Sequence, residues 1–280
     1  MTLNPSAWQL LLSWNVTWPV ATGTGLVAAT YLTAFARHRR TPQGRQEWRA
    51  HHLLYFLGGL LLGFTALQSS LTSLTINSMA LYILRLMVAA ELVPPLLVSS
   101  LPRAVLARAP TEGFWGQVLG VLTDPFAVLV LWAAIIIFWN LPIGFNESLV
   151  SATTQGLLPL IYLIGGLLLW TQLLQIFRQF NHLNSWQRGR FGILSALPMI
   201  GVGVTWLVSV KLLYTPYLGV ACLWNWSALQ NQQYAGTVML AAGLPTFLVS
   251  LYGLSKGLLE FMDHDIRDTE EEQGALPNES

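Results

Sequence analysis

Apolar residues in this chain gather into seven long runs separated by short polar segments. A helix rises about 1.5 Å per residue, so roughly 20 apolar residues cross the hydrocarbon core of a bilayer. Each run reaches about that length, although Asp124, Pro125 and Pro245 interrupt the fourth and the seventh. The pattern predicts an all-α, polytopic membrane protein with seven transmembrane helices. The runs cover residues 17–36, 53–74, 76–98, 117–140, 155–177, 191–214 and 236–258.

Basic residues divide sharply between the two sides of this predicted bundle. Segment 37–52 holds five arginines, and twelve of the fourteen Lys and Arg residues fall on the same side as that segment. The other side, formed by the N-terminus and the segments 141–154 and 215–235, has none. Because cytoplasmic loops carry an excess of Lys and Arg, the sequence predicts an outer N-terminus and a cytoplasmic C-terminus.

Composition supports a membrane protein and excludes several functions. Only 10% of the residues are charged and the net charge is +1, which argues against a nucleic-acid partner and leaves the lipid bilayer as the expected surroundings. The single Cys222 excludes an intramolecular disulfide or a site with several thiolates. We divide the chain into a transmembrane domain, residues 1–260, and an acidic tail, residues 261–280, which its polarity predicts to be disordered.

The third run is the one around which the others are arranged. It carries two charges, Arg85 and Glu91, and the pair Pro94 and Pro95. A charge at the centre of a bilayer costs about 2.5–3.5 kcal/mol on insertion scales. The prolines lack an N–H and are expected to leave backbone carbonyls unpaired near Glu91. Such groups persist in a membrane only where protein or a wet cavity covers them, so this helix is predicted to lie inside the bundle.

Two interpretations of Glu91 remain open from the sequence. If the helix ends at the prolines, Glu91 lies at the water interface and the prolines only terminate the span. If the helix continues, Glu91 is buried and is a functional candidate. Arg85 precedes it by six residues, about 120° around the helix and 9 Å along it, so each requires partners on neighbouring helices.

The remaining candidates for chemistry are few. Lys211 falls at the outer end of the sixth run, where its side chain either reaches the interface or joins the polar site. The sequence offers no catalytic set, no cofactor motif and no converging soft or imidazole ligands, so we expect no enzyme activity, no cofactor and no metal site. The five histidines lie on the basic side: His38, His51, His52, His182 and His264.

Six segments resemble, in order, the CtaG family of cytochrome c oxidase assembly factors, which are seven-span proteins of bacterial membranes. They lie between residues 50 and 260. They read LMVAAELVPPLLV, LPRAVLARAP, FWNLPIGFNESL, LPMIGVGV, LLYTPY and SALQNQQYAGTVM. The resemblance implies a multi-pass protein of the bacterial inner membrane that helps a haem–copper oxidase mature, with terminal oxidase subunits as partners.

The chain departs from the family pattern where the family has histidines. The corresponding positions are Tyr82, Leu86, Asn140, Gln155 and Pro159, and the family's DQQ reads Asn231-Gln232-Gln233. Imidazoles are natural ligands for copper and haem iron, so we expect neither to be bound here. Asn140, Gln232 and Gln233 join Arg85, Glu91, Pro94, Pro95 and Lys211 as functional candidates.

Two functions remain from the sequence. The first is an assembly or accessory factor for a haem–copper terminal oxidase, acting by contact within the bilayer. The alternative is a small-solute or ion transporter that uses Glu91 beside a proline-broken helix. Transporters usually contain internal repeats, and none is evident in the chain.

Overall fold

The structure is a computed structural model that describes residues 14–274 except 15, 70–73, 178, 181 and 221, with side chains described as far as Asp263. Its described elements are helices, and no strand occurs among them. They are α1 (Trp18–His38), α2 (Pro42–Glu47), α3 (Ala50–Gln68), α4 (Met79–Met87), α5 (Val93–Ser99), α6 (Arg103–Leu106), α7 (Gly113–Leu122), α8 (Pro125–Asn140), α9 (Pro142–Val150), α10 (Ala152–Leu174), α11 (Ser185–Val208), α12 (Ala228–Ala242) and α13 (Leu244–Gly274). A π-helical turn, Val88–Leu92, joins α4 to α5, and two 3₁₀ turns, Thr215–Tyr217 and Leu223–Asn225, lie between α11 and α12.

The helices confirm the all-α membrane protein but not the full number of spans. Within the described residues, five helical stretches are long and apolar enough to cross a membrane, and a sixth arises if the pair α7 and α8 forms one span. The first predicted span, α1, has 21 residues but does not join this set, because threonines and glycines dilute its apolar character. The five are Ala50–Gln68, Met79–Ser99, Ala152–Leu174, Ser185–Val208 and Ala228–Asp263.

The two interrupted runs behave differently from one another. In the fourth run, α7 and α8 meet at an angle of 58°. The break follows from Pro125, which has no N–H to donate, and from Asp124, whose carboxylate accepts a hydrogen bond from Ala127 N at 2.8 Å and so starts a new helix. In the seventh run, helix follows helix from Ala228 onwards with only Gly243 between them.

The last helix, α13, continues beyond the seventh run as far as Gly274. Disorder of the acidic tail, residues 261–280, stays a prediction. A helix already nucleated in an apolar segment propagates at little cost, and the pair Lys256 and Glu260, 3.6 Å apart, supports it across one turn. Residues 275–280 lie outside the described part of the chain.

The third run is the central helix of the bundle, as the sequence predicts. The segment Met79–Ser99 is the most buried of the five membrane-length stretches. It packs against α3, α10 and α12, while α11 packs against α8, α12 and α13. We call Met79–Ser99 the central helix. Its inward side chains join the main core, together with Trp132, Tyr162 and Trp206.

Gly166 on α10 permits the closest approach to the central helix. A Cβ at this position would overlap the Ala90 carbonyl oxygen and lie 2.8 Å from Pro94 Cγ. The absent side chain therefore lets the two backbones touch at the π turn. Small residues at the contacts between membrane helices allow such close packing.

We expect Gly166→Ala to destabilise the protein by about 1–3 kcal/mol, the usual cost of overpacking, because the Ala90 backbone cannot retreat. Gly156→Ala on the same helix is the matched control, since nothing lies within 4 Å of its added Cβ. Thermal unfolding of both variants in detergent measures the difference. Equal transition temperatures would show that the contact between α10 and the central helix is loose.

Candidate functional site

Glu91 is fully buried beside two side chains from other helices. Its relative exposure is 0%, and Thr246 Oγ1 donates a hydrogen bond to Glu91 Oε2 at 2.6 Å. The Trp170 indole lies beside the same carboxyl group, but its N–H makes no hydrogen bond with a described residue, and neither does Glu91 Oε1. The ion pairs found among the described residues do not involve Glu91. A buried carboxylate without a cation is costly, so the geometry favours the protonated acid.

The π turn places Glu91 within the helix and not at its end. Glu91 lies twelve residues after Met79 and eight before Ser99, so about two helical turns follow it. The open interfacial interpretation therefore does not fit this helix. At this wider turn, Val93 N donates a hydrogen bond to Val88 O. That the prolines leave carbonyls near Glu91 without a backbone donor stays a prediction.

The two prolines follow this turn directly. Pro94 and Pro95 occupy the start of α5, where a helix tolerates residues without an N–H. Pro94 is buried against α10 beside Gly166, whereas Pro95 is half-buried. The prolines thus shape the helix next to Glu91 and do not terminate it.

Arg85 is buried as well, and it forms its hydrogen bond with the end of α3. Its Nε donates a hydrogen bond at 2.7 Å to Ala66 O, one of the last four backbone carbonyls of α3. A cation at a helix C-terminus is also favoured by the helix dipole. Arg85 and Glu91 do not pair, and Arg85 Nη1 has no partner among the described residues. Arg85 therefore acts as a cap for α3.

Asn140, the last residue of α8, lies in a buried polar cluster. Its Nδ2 donates to Tyr162 Oη at 2.9 Å, and its backbone oxygen accepts from Tyr214 Oη at 2.6 Å. Trp206 Nε1 in turn donates to Tyr214 Oη at 2.6 Å. Burial raises the pKa of the Tyr214 hydroxyl, so this group stays protonated and keeps donating. We call Asn140, Tyr162, Trp206 and Tyr214, with Tyr82 and Ser148, the aromatic polar cluster.

Tyr82 joins this cluster through α9. Its hydroxyl is hydrogen-bonded to Ser148 Oγ, and its ring packs edge-on against Phe145 at a centroid distance of 5.2 Å. Phe145 is fully buried and also contacts the rings of Trp206 and Tyr214. The cluster therefore holds α9 against the central helix.

The amides at the start of α12 bind the loop after α11 and the start of the central helix. Gln232 Oε1 accepts from Leu213 N at 2.8 Å, and Gln233 Nε2 donates to Ser209 O at 3.2 Å. Asn231 Oδ1 accepts from Ala80 N at 3.2 Å, at the start of the central helix. The three consecutive amides thus tie the loop after α11 to the central helix.

Lys211 lies outside the helix in which the sixth run places it. Helix α11 ends at Val208, so Lys211 follows the span and is exposed. Its backbone oxygen accepts from Gln232 Nε2 at 3.3 Å, and its side chain stays at the surface. Lys211 does not join Arg85 and Glu91 in one site. The sixth apolar run extends beyond the end of α11 because it includes Leu212 and Leu213, which lie in the loop after this helix.

Comparison with models of protein families shows which family the chain belongs to. The model of the cytochrome c oxidase caa3 assembly factor family matches residues 29–259, which is 231 of the 280 residues. The chain belongs to this family. The resemblance read from the sequence is confirmed. Comparisons with curated proteins and with solved structures gave no match.

This member has no histidine at the positions where the family resemblance implies them. Leu86 and Pro159 carry no donor, while Tyr82 and Asn140 are already engaged in the aromatic polar cluster. Gln155, at the start of α10, is half-buried. Among the described residues, no three His, Cys, Asp or Glu side chains come together as ligands. The donor set does not fit copper or haem, and the absence of a bound metal stays a prediction.

Sequence reasoning missed the partners of the buried carboxyl group. Trp170 and Thr246 come from α10 and α13, far from Glu91 in the chain. Neither belongs to a motif, because a Trp or Thr inside an apolar run is typical of any membrane helix. Tyr162 was missed for the same reason.

We expect Glu91→Gln to leave protein abundance near wild type, since the amide oxygen still accepts from Thr246. Glu91→Ala removes this acceptor and leaves a buried donor unpaired, at a cost of about 1–3 kcal/mol besides the cavity. Quantitative membrane immunoblots and thermal unfolding measure both effects. Glu112→Ala, at an exposed carboxylate, is the control.

Wild-type abundance and stability in Glu91→Ala would contradict a structural role for the buried acid. If Glu91→Gln were as defective as Glu91→Ala, the ionised form would be the one required, and the assignment of a protonated acid would be wrong.

Proposed function

We propose that this assembly factor acts without catalysis, by holding subunits of a haem–copper terminal oxidase inside the membrane. The observation that carries the proposal is the family match along most of the chain. The buried polar groups support it, because they bind one another and the backbone instead of facing a substrate cavity. The proposed setting is the bacterial inner membrane.

The outer surface of the bundle offers the contact area that such a role needs. Large apolar side chains point outward along several helices, among them Leu61 on α3, Phe126 on α8 and Leu248 on α13. A surface of this kind suits lipid and also the transmembrane helices of a partner. Near the loop after α11, Val210 and Trp224 are exposed as well. Docking of oxidase subunits on this face is part of the proposal.

Seven spans with an outer N-terminus are the topology that we propose. Helix α1, the first in the chain, would complete the set of seven spans. Its 21 residues reach about 31 Å, and its Leu26 and Val27 are exposed on the surface of the bundle. The twelve basic residues on one side support the orientation.

Contacts between loops support the same division into two sides. Segments assigned to the outer side bind each other, as in the hydrogen bonds from Leu223 N to Asn77 O and from Tyr217 Oη to Thr75 O. Segments assigned to the cytoplasmic side do likewise. There, Gln179 Nε2 donates to Leu106 O at 2.8 Å.

The transporter alternative is not favoured. The family is one of assembly factors, and Glu91 is fully enclosed by the central helix, α10 and α13. An ion or solute pathway needs access to the carboxyl group from one side of the membrane.

The topology predicts opposite labelling of two loops. In a Cys222→Ser background, a cysteine at Glu147 should react with an impermeant maleimide added to intact cells. A cysteine at Gln43 should react only after the membrane is permeabilised. Both positions are exposed, so access depends on the side alone. The reverse pattern would invert the proposed orientation.

Loss of the gene should lower the activity and the assembled amount of the haem–copper oxidase, with the wild-type chain restoring both. Gently solubilised, tagged protein should co-purify with oxidase subunits and contain no stoichiometric copper or haem of its own. Oxidase assays, mass spectrometry and metal analysis measure these outcomes. Normal oxidase in the deletion strain would reject the proposed function. Stoichiometric metal would reject the predicted absence of a metal site.

A further inference from the structure

An apolar groove lies between α1 and the rest of the bundle. Its volume is about 680 Å³, and its walls include Tyr31 and Ala34 on α1, Phe56 on α3, and Leu97 and Leu167 from the centre of the bundle. Tyr31 fixes one wall, because it stacks on Phe56 and donates to Ser100 O at 2.9 Å. The groove is therefore a formed feature of the fold.

The length of the groove matches one leaflet of a bilayer. On α1 its lining runs from Leu26 to His38, thirteen residues that span about 18 Å. Half of a hydrocarbon core is about 15 Å. Leu26 lies near the middle of α1, and His38 is its last residue, next to the arginine-rich segment 39–49. A single acyl chain fits these dimensions.

A polar pocket adjoins the basic end of the groove. It has a volume of about 470 Å³, and Arg49, Arg103, His51 and His52 line it. Glu47 is its acidic residue, and Arg108 lies 3.7 Å from that carboxylate. Neither Arg49 nor Arg103 forms an ion pair with a described residue. The pocket therefore presents uncompensated positive charge.

The groove and the pocket share their walls. In one wall, Trp48 faces the groove while its neighbours Glu47 and Arg49 line the pocket. In the other wall, Leu101 and Val105 line the groove and residues 102–104 line the pocket. One molecule with an anionic head and an apolar chain can therefore occupy both cavities.

We propose that these two cavities form a binding site for one anionic phospholipid. The phosphate lies between Arg49 and Arg103, and one acyl chain lies along Tyr31, Phe56 and Leu97. Basic pockets at the cytoplasmic ends of membrane helices recognise such headgroups. The bound lipid fills the gap that α1 leaves and fastens it to the bundle. Only the choice of the cytoplasmic leaflet rests on the proposed topology.

Native mass spectrometry of the delipidated, full-length protein tests the site. Phosphatidylglycerol should bind with one tight site, and phosphatidylcholine should bind more weakly. Arg49→Gln with Arg103→Gln should weaken phosphatidylglycerol about fivefold for each arginine. Arg190→Gln is the matched control, an exposed arginine assigned to the same side but away from both cavities. All three arginines are exposed, so these changes leave the fold intact.

A second variant separates a lipid from a free anion. Ala34→Trp fills the groove and should weaken phosphatidylglycerol by roughly tenfold, the effect of displacing about two buried CH₂ groups. Ala29→Trp, exposed on the same helix, is its control. Circular dichroism verifies folding of both.

Four results would overturn the proposal. The first three are equal binding of the two lipids, wild-type affinity in the double arginine variant, and wild-type affinity in a folded Ala34→Trp protein. Inorganic phosphate that competes fully with phosphatidylglycerol at equal concentration would show a free-anion pocket instead, and this also rejects the lipid site.

Discussion

The contact between the widened turn of the central helix and Gly166 is the constraint on which the rest of the structure depends. A bilayer offers no water to a stranded carbonyl or carboxyl group, so such groups persist only inside protein. At this turn the chain carries both, an acid at Glu91 and a backbone loosened by Pro94 and Pro95. Close packing of α10 covers the backbone, and Thr246 from α13 meets the acid. The neighbouring helices are thereby fixed around one short segment.

The two ends of the bundle are stabilised in different ways. At one end, hydrogen bonds from amides and phenols connect the loops and helix ends through Asn140, Tyr214, Asn231 and Gln232. At the basic end, α1 touches the bundle mainly through aromatic rings around Tyr31 and leaves a groove beside it. This asymmetry fits a protein whose one end is held together by hydrogen bonds and whose basic end, as we propose, binds a lipid.

Family membership and the details of this chain bear on different questions. The family match assigns the protein to cytochrome c oxidase assembly. The residues at the positions where the resemblance implies histidines show instead how this member is held together. Tyr82 and Asn140 supply hydrogen bonds where the resemblance implies imidazoles, and they connect α9 to the core. Such groups give shape and stability. In this member, contact with partners is the function that the scaffold itself supports.

The helix pattern could be predicted because the bilayer imposes a simple rule on length and polarity. Apolar runs of about 20 residues became helices, and the buried position of the run with Arg85 and Glu91 followed from the cost of its charges. The family followed from short ordered motifs. The bounds of the runs were less exact: the sixth run was placed at residues 191–214, whereas α11 covers Ser185–Val208.

The partners of the polar groups were decided by the tertiary structure alone. Arg85 caps α3, Glu91 meets Thr246 and Trp170, and Lys211 stays outside the bundle, because helix rotation and crossing determine which side chains meet. Hydrophobic periodicity carries little of that information in a helix that is apolar on every side. The sequence by itself therefore determined that this is a helical membrane protein of the assembly factor family. Packing between distant helices decided what its buried charges do.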